Sequence, residues 1–173
     1  MIQLSYEPAF DPAHAMFRAL RLRESVLQGE RVAKELFRIL DYYLLFPDRL
    51  KNARLRPEHR RIKGIAERQR RQAPYGPRPD DQTLLQRMEP FTDVAVEHLA
   101  ENGFLDRDAL ENGWISTTAS TLPLSLAERI RALNEADAEL LDALRVLATE
   151  YPFDGGDGLK HRTGLLEHRY DAV

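Results

Sequence analysis

Val32-Ala33-Lys34-Glu35-Leu36-Phe37-Arg38-Ile39-Leu40-Asp41-Tyr42-Tyr43-Leu44-Leu45-Phe46-Pro47 is the stretch on which the fold reading turns. Val32, Leu36, Ile39 and Tyr43 recur at helical spacing, and Phe37, Leu40 and Leu44 widen that face. A helix apolar around so much of its girth belongs at the centre of a core. Pro47 predicts its end, because the residue before a proline is pushed out of the α region. Asp41 is out of place on such a helix. It is either a charge on the remaining polar edge or the buried partner of an arginine.

Working outward, Ile2, Leu4 and Tyr6 alternate with polar residues and predict a short half-buried strand. Asp11-Pro12 reads as N-cap and first helical residue, opening a helix to about Leu27. Ala13, Met16, Phe17, Leu20 and Leu27 give that helix its apolar stripe, with Arg18, Arg21 and Arg23 expected in water. On the other side, Ala73–Asp81 is rich in Pro and Gly and predicts a loop or linker. Beyond it, Leu84, Leu85 and Met88 point inward from a helix over Asp81–Arg87. Pro90 is expected to restart a helix whose buried stripe is Phe91, Val94, Ala95, His98 and Leu99. Asn102-Gly103 stops it in the manner of a Schellman end, with Phe104-Leu105 packing back. Trp114–Thr118 is β-rich.

Ser125-Leu126-Ala127-Glu128 reads as a capping box opening a long helix over 125–151. Leu126, Ile130, Leu133, Asp137, Leu140, Leu144, Leu147 and Tyr151 alternate at spacings of four and three, a heptad seam with one charged member. The seam packs either on the chain's own core or on a partner helix. In the second reading Leu133, Leu140, Leu144 and Leu147 meet the partner and Asp137 sets the register. The predicted fold is mainly α with a small β element, winged-helix-like. One half spans 1–78, including a basic segment at 49–72. The other spans 79–173, with the long helix and a tail.

The chain has 173 residues, no Cys and a net charge of −3. That length suggests one domain or two small ones. Lacking Cys, it has no disulfide framework, thiol nucleophile or Cys-based zinc site. No apolar run is long enough for a membrane span, and Met1–Glu7 does not look like a secretory signal, so a cytoplasmic protein with no membrane contact is expected. There is no GxxxxGK[ST], GxGxxG or GxSxG. His161 and His168 stand seven apart, about 10 Å along a helix, too far to share one ion. No catalytic residue, metal site or cofactor is expected.

Charge is unevenly spread. Residues 49–72 hold ten Lys/Arg against Glu58 and Glu67, a net +8, which leaves −11 for the rest. Ile62, Ile65 and Ala66 offer this stretch only a thin apolar stripe. Arg60, Arg61, Lys63, Arg68, Arg70 and Arg71 are therefore the candidate contacts for double-stranded DNA, through its phosphates, or for an acidic protein partner. A merely solvated face is the third reading. No side-chain set is placed to read bases.

The block Arg38-Ile39-Leu40-Asp41-Tyr42-Tyr43 within Phe37–Pro47 resembles the middle-component family of bacterial ABC-three-component systems, the group that includes Lamassu-type anti-phage defence. The likeness extends through Tyr6–Pro12 with Phe17-Arg18, Leu50-Lys51-Asn52, Pro57–Arg60, Arg87–Pro90 and Gly103–Ile115, about residues 1–120. The resemblance implies a non-enzymatic accessory subunit, similar in role to the winged-helix subunits of condensin-like SMC complexes. It would bridge an SMC/Rad50-like ABC ATPase, which alone would use ATP and Mg, and an effector that is often a nuclease. The rival reading is a stand-alone winged-helix transcription regulator that uses residues 57–72 as its DNA helix. A small hydrolase or nuclease would need clustered acids or His with a metal, which the sequence does not offer.

Overall fold

The computed structural model describes residues 7–70 and 79–166. The strand expected at Ile2–Tyr6, most of the linker and His168 lie outside them. The described chain is mainly helical: α1 (Pro12–Arg23), β1 (Val32–Ala33), α2 (Lys34–Leu45), α3 (Arg61–Arg70), α4 (Asp81–Glu101), α5 (Arg107–Glu111), β2 (Trp114–Ile115), α6 (Leu124–Ala136), α7 (Ala138–Glu150) and α8 (Leu159–Thr163).

α2 is the central element. Leu36, Phe37, Ile39, Leu40, Tyr42, Tyr43 and Leu44 are all buried on it. α1, α4 and α7 pack against it, so the core draws on residues from both sides of the linker. It begins two residues later than its apolar pattern suggests. Val32 and Ala33 instead pair antiparallel with Ile115 and Trp114, and Lys34 N–H donates to the Gly113 carbonyl (2.9 Å). Gly113 has φ +82°, the left-handed turn that delivers Trp114 to this ribbon. The ribbon thus ties distant parts of the chain and is not a hairpin, so it does not show a winged-helix arrangement.

Asp11 caps α1 by accepting from His14 N–H at 3.0 Å, as its sequence suggests. The expectation that Arg18, Arg21 and Arg23 stay in water is overturned. Arg18 and Arg23 are buried, and Arg21 is largely covered. Arg18 makes a two-pronged ion pair with Asp41 (2.6 and 3.0 Å), and Thr92 Oγ1 donates to the same carboxylate at 2.8 Å. Asp41 is therefore the buried partner of an arginine. Arg23 donates to the carbonyls of Phe104 (2.9 Å) and Thr118 (3.0 Å), holding two loops together. A buried guanidinium is tolerable only when its N–H groups are matched in this way.

α4 is one helix, not two. Pro90 lies within it on an exposed position, so the carbonyl its ring leaves unbonded faces water. Its buried face is Leu84, Leu85, Met88, Thr92, Ala95, Val96 and Leu99, whereas Val94 and His98 face out. Docking Thr92 on Asp41 sets that rotation. The helix ends in a Schellman motif as expected: Gly103 N–H bonds Ala100 O and Phe104 N–H bonds Leu99 O.

The long helix expected over 125–151 is two helices. Asp137, at φ −104° and ψ 22°, separates α6 from α7. Its carboxylate accepts from Arg21 Nη2 at 2.7 Å, and Asn134 exchanges hydrogen bonds with Arg21. The capping box does not operate either, because α6 starts at Leu124 after Pro123 without a side-chain cap. Leu140, Leu144 and Leu147 are buried in this chain's own core on α7, while Leu133 on α6 is 37% exposed. The seam is thereby split between two helices, and its three α7 leucines are occupied within the chain.

Candidate functional site

The basic segment folds as a turn over Pro47–Asn52, a second turn at Pro57–His59, and α3. Ile62 and Ala66 are its buried anchors, with Ile65 half-buried against α7. These contacts decide which cations face inward.

Arg49 is consumed by the fold. Its guanidinium meets Asp81 at 2.6 Å, and the same carboxylate accepts from Tyr42 Oη (2.9 Å) and Asn52 Nδ2 (2.8 Å). Burial, with Asp81 alongside, pushes the Tyr42 hydroxyl above its ordinary pKa. Arg54 is held to α8: its N–H donates to the Arg162 carbonyl (2.8 Å), the Arg162 guanidinium donates to its carbonyl (2.5 Å), and its own side chain reaches the His161 carbonyl. Arg56 pairs with Asp157 at 2.6 Å and lies over the Tyr151 ring at 4.6 Å. The Arg162 guanidinium, then Arg56, holds the Asp157 carboxyl below its ordinary range.

Tyr151 closes this clasp. Arg56 N–H donates to its hydroxyl oxygen (3.0 Å), and His59 Nδ1 stands 2.8 Å from the same oxygen. The Glu150 carboxylate, which can only accept, stands 3.1 Å from His59 Nε2 and holds a proton on that nitrogen.

The remaining described cations behave differently. Lys51, Arg60, Arg61 and Lys63 are exposed, with no ion pair among the described residues. Arg68, also exposed, pairs with Glu139 of α7 across a cleft of about 230 Å³ that Arg61, Ile65 and Asp142 also line. Arg70 is the last residue of α3, and Arg71 lies outside the described residues. Of the six cations singled out by sequence, Arg60, Arg61, Lys63 and Arg68 are exposed, at the start of α3 and along it.

Other surface features were not singled out by the sequence. Trp114 is 36% exposed and carries the Arg31 guanidinium over its ring at 4.4 Å. Val94 and Leu124 are 53% and 74% exposed. A groove of about 590 Å³ runs between the end of α1, α6 and α7, with Leu124, Ala127, Ile130 and Leu141 along it. Periodicity places Val94 inside, whereas the Thr92–Asp41 bond and the Arg38–Asp93 pair turn α4 so that it faces out. Among the described residues no group of three or more His, Asp or Glu is arranged to hold a metal, and no helix is long and apolar enough to cross a membrane.

Comparison with curated proteins and with solved structures returned no match. A family model does match, over residues 4–171, including the helices after Thr118 where the resemblance was weakest. By that match, the chain belongs to the family described as ABC-three component (ABC-3C) system Middle Component 5.

Proposed function

We propose that this chain is a non-catalytic assembly subunit of a bacterial defence complex of the Lamassu type. It bridges an SMC/Rad50-like ABC ATPase and an effector of nuclease class, and touches double-stranded DNA through its basic face. ATP and Mg belong to the ATPase, and this chain carries no cofactor. Family membership supports the role of component. The observation that carries the bridge is a division of the surface by chemistry. Exposed apolar side chains stand on α4, β2 and α6, whereas the α3 face is basic and has none. Trp and Arg together are the usual anchors of protein interfaces, which makes Trp114 with Arg31 the protein-facing candidate. Clustered cations without apolar anchors suit a phosphate backbone.

The test is co-expression of the full chain with its neighbouring ATPase and effector, followed by capture and mass determination. A three-protein complex that Trp114→Ala weakens and Arg60→Glu with Arg61→Glu leaves intact is the expected result. A chain that never captures the ATPase sinks the bridge. Recovery as a lone dimer that selects one operator sequence would identify a transcription regulator instead.

A further inference from the structure

We infer that Gly64 marks the point where the sugar-phosphate backbone of a DNA duplex lies against α3; this rests on the DNA contact proposed above. Glycine is the poorest helix former after proline, yet Gly64 sits inside α3. Its φ is not in the left-handed region, so the backbone does not require it. Packing does not require it either. A Cβ at this position would meet only Arg68 Nη1, at 3.8 Å, an ordinary contact with the end of a flexible side chain. What remains is what an exposed glycine offers from outside: bare backbone that a partner can approach closely.

Its place on the helix agrees. At about 100° per residue, Gly64 stands opposite the midpoint of the buried pair Ile62 and Ala66. It is thus the outermost position of α3. Arg60 and Arg61 precede it by one turn, and Arg68 follows by one turn. The result is a shallow saddle with Arg60 and Arg61 on one side and, on the other, Arg68, whose guanidinium is paired with Glu139 of α7. Glu67, next to the saddle, is itself engaged in an interaction.

DNA fits this saddle better than an acidic protein does. A protein interface is centred on apolar or aromatic anchors. The large exposed apolar residues of the described chain, Val94, Trp114, Leu124 and Leu133, all lie on other elements. Arginine forks match phosphate oxygens in pairs, and a backbone strand needs a flush surface between them.

The experiment uses the full chain and a fluorescent duplex of arbitrary sequence, long enough for about three helical turns, over a salt series. Gly64→Gln places a long, helix-favouring side chain on the saddle, and Gly64→Ala is its milder companion. Both variants should melt roughly 2–4 °C higher than the parent. Gly64→Gln should nonetheless bind the duplex about tenfold more weakly, with a salt slope lower by about one contact. A more stable protein that binds less supports the assignment. Parent and Gly64→Gln binding the duplex equally would overturn it while leaving the DNA reading standing. No duplex binding by the parent at low salt would overturn the DNA reading and the inference with it. Poly-glutamate binding with the same affinity, slope and Gly64→Gln loss would overturn the choice of DNA and give the saddle to an acidic protein.

Discussion

α1 and α3 both carry arginines, and they use them in opposite ways. In α1, Arg18, Arg21 and Arg23 turn into the chain and meet Asp41, Asp137 and the carbonyls of Phe104 and Thr118. Around α3, Arg60, Arg61 and Lys63 remain in solvent. The difference lies in the supply of acceptors. α1 is crossed by α2, α4 and α6, and those contacts bring acids and loop carbonyls to it. α3 rests on the Pro47–Asn52 turn and on α7 through a thin apolar stripe, and its outer positions Arg60, Arg61, Lys63 and Gly64 are exposed among the described residues. An arginine becomes part of the fold where several elements converge, and part of the surface where only one side is covered.

Replacing Asp41 by Ala tests the buried side most severely. It strands the Arg18 guanidinium and takes the acceptor from Thr92, so a loss of about 3–5 kcal/mol is expected in urea unfolding. A loss below about 1 kcal/mol would put Arg18 in the class of a surface charge. Arg23→Ala comes next. It frees carbonyls in the loops at Phe104 and Thr118, and about 1–3 kcal/mol should be lost by the same measurement. A neutral result would mean that these loops do not depend on α1.

Arg56 stands between the two regimes, and pH probes it. The depressed Asp157 carboxyl contributes stability that is fully present above its unfolded pKa, about 3.9, and is lost as pH falls through the lower folded value. Asp157→Asn should flatten that acid limb of a melting-temperature profile. An unchanged limb would show that the clasp over Tyr151 does not depend on this pair. The smallest effect on stability is expected on α3. Arg60→Glu with Arg61→Glu should shift unfolding by no more than about 0.5 kcal/mol while abolishing duplex binding. Unfolding of that variant would make these arginines structural and erase the contrast with α1.

Much of the fold was legible. The girth of apolar residues on α2, the Asp11-Pro12 start of α1 and the Asn102-Gly103 stop of α4 are local signals, and local physics decided them. The exposed positions of Arg60, Arg61 and Lys63 followed from the scarcity of apolar neighbours at 60–68. The rotation of α4 was not legible, because Phe91 and Val94 make as good a stripe as Thr92 and Val96 until Asp41 stands opposite. The break at Asp137 was hidden for a similar reason. A single acid in a heptad pattern is compatible with one helix, and only Arg21, more than a hundred residues earlier, captures it.

By itself, then, the amino-acid sequence determined a mainly helical chain built around α2, a basic segment unlike the rest in charge, and kinship with the middle-component family of ABC-three-component systems. The tertiary structure alone decided which cations are buried, where α6 parts from α7, and which apolar residues remain outside. Helix propensity and capping act within a few residues and can be read along the chain. The burial of a charge depends on a partner brought from far away, because a desolvated guanidinium or carboxylate is stable only where the fold supplies its complement.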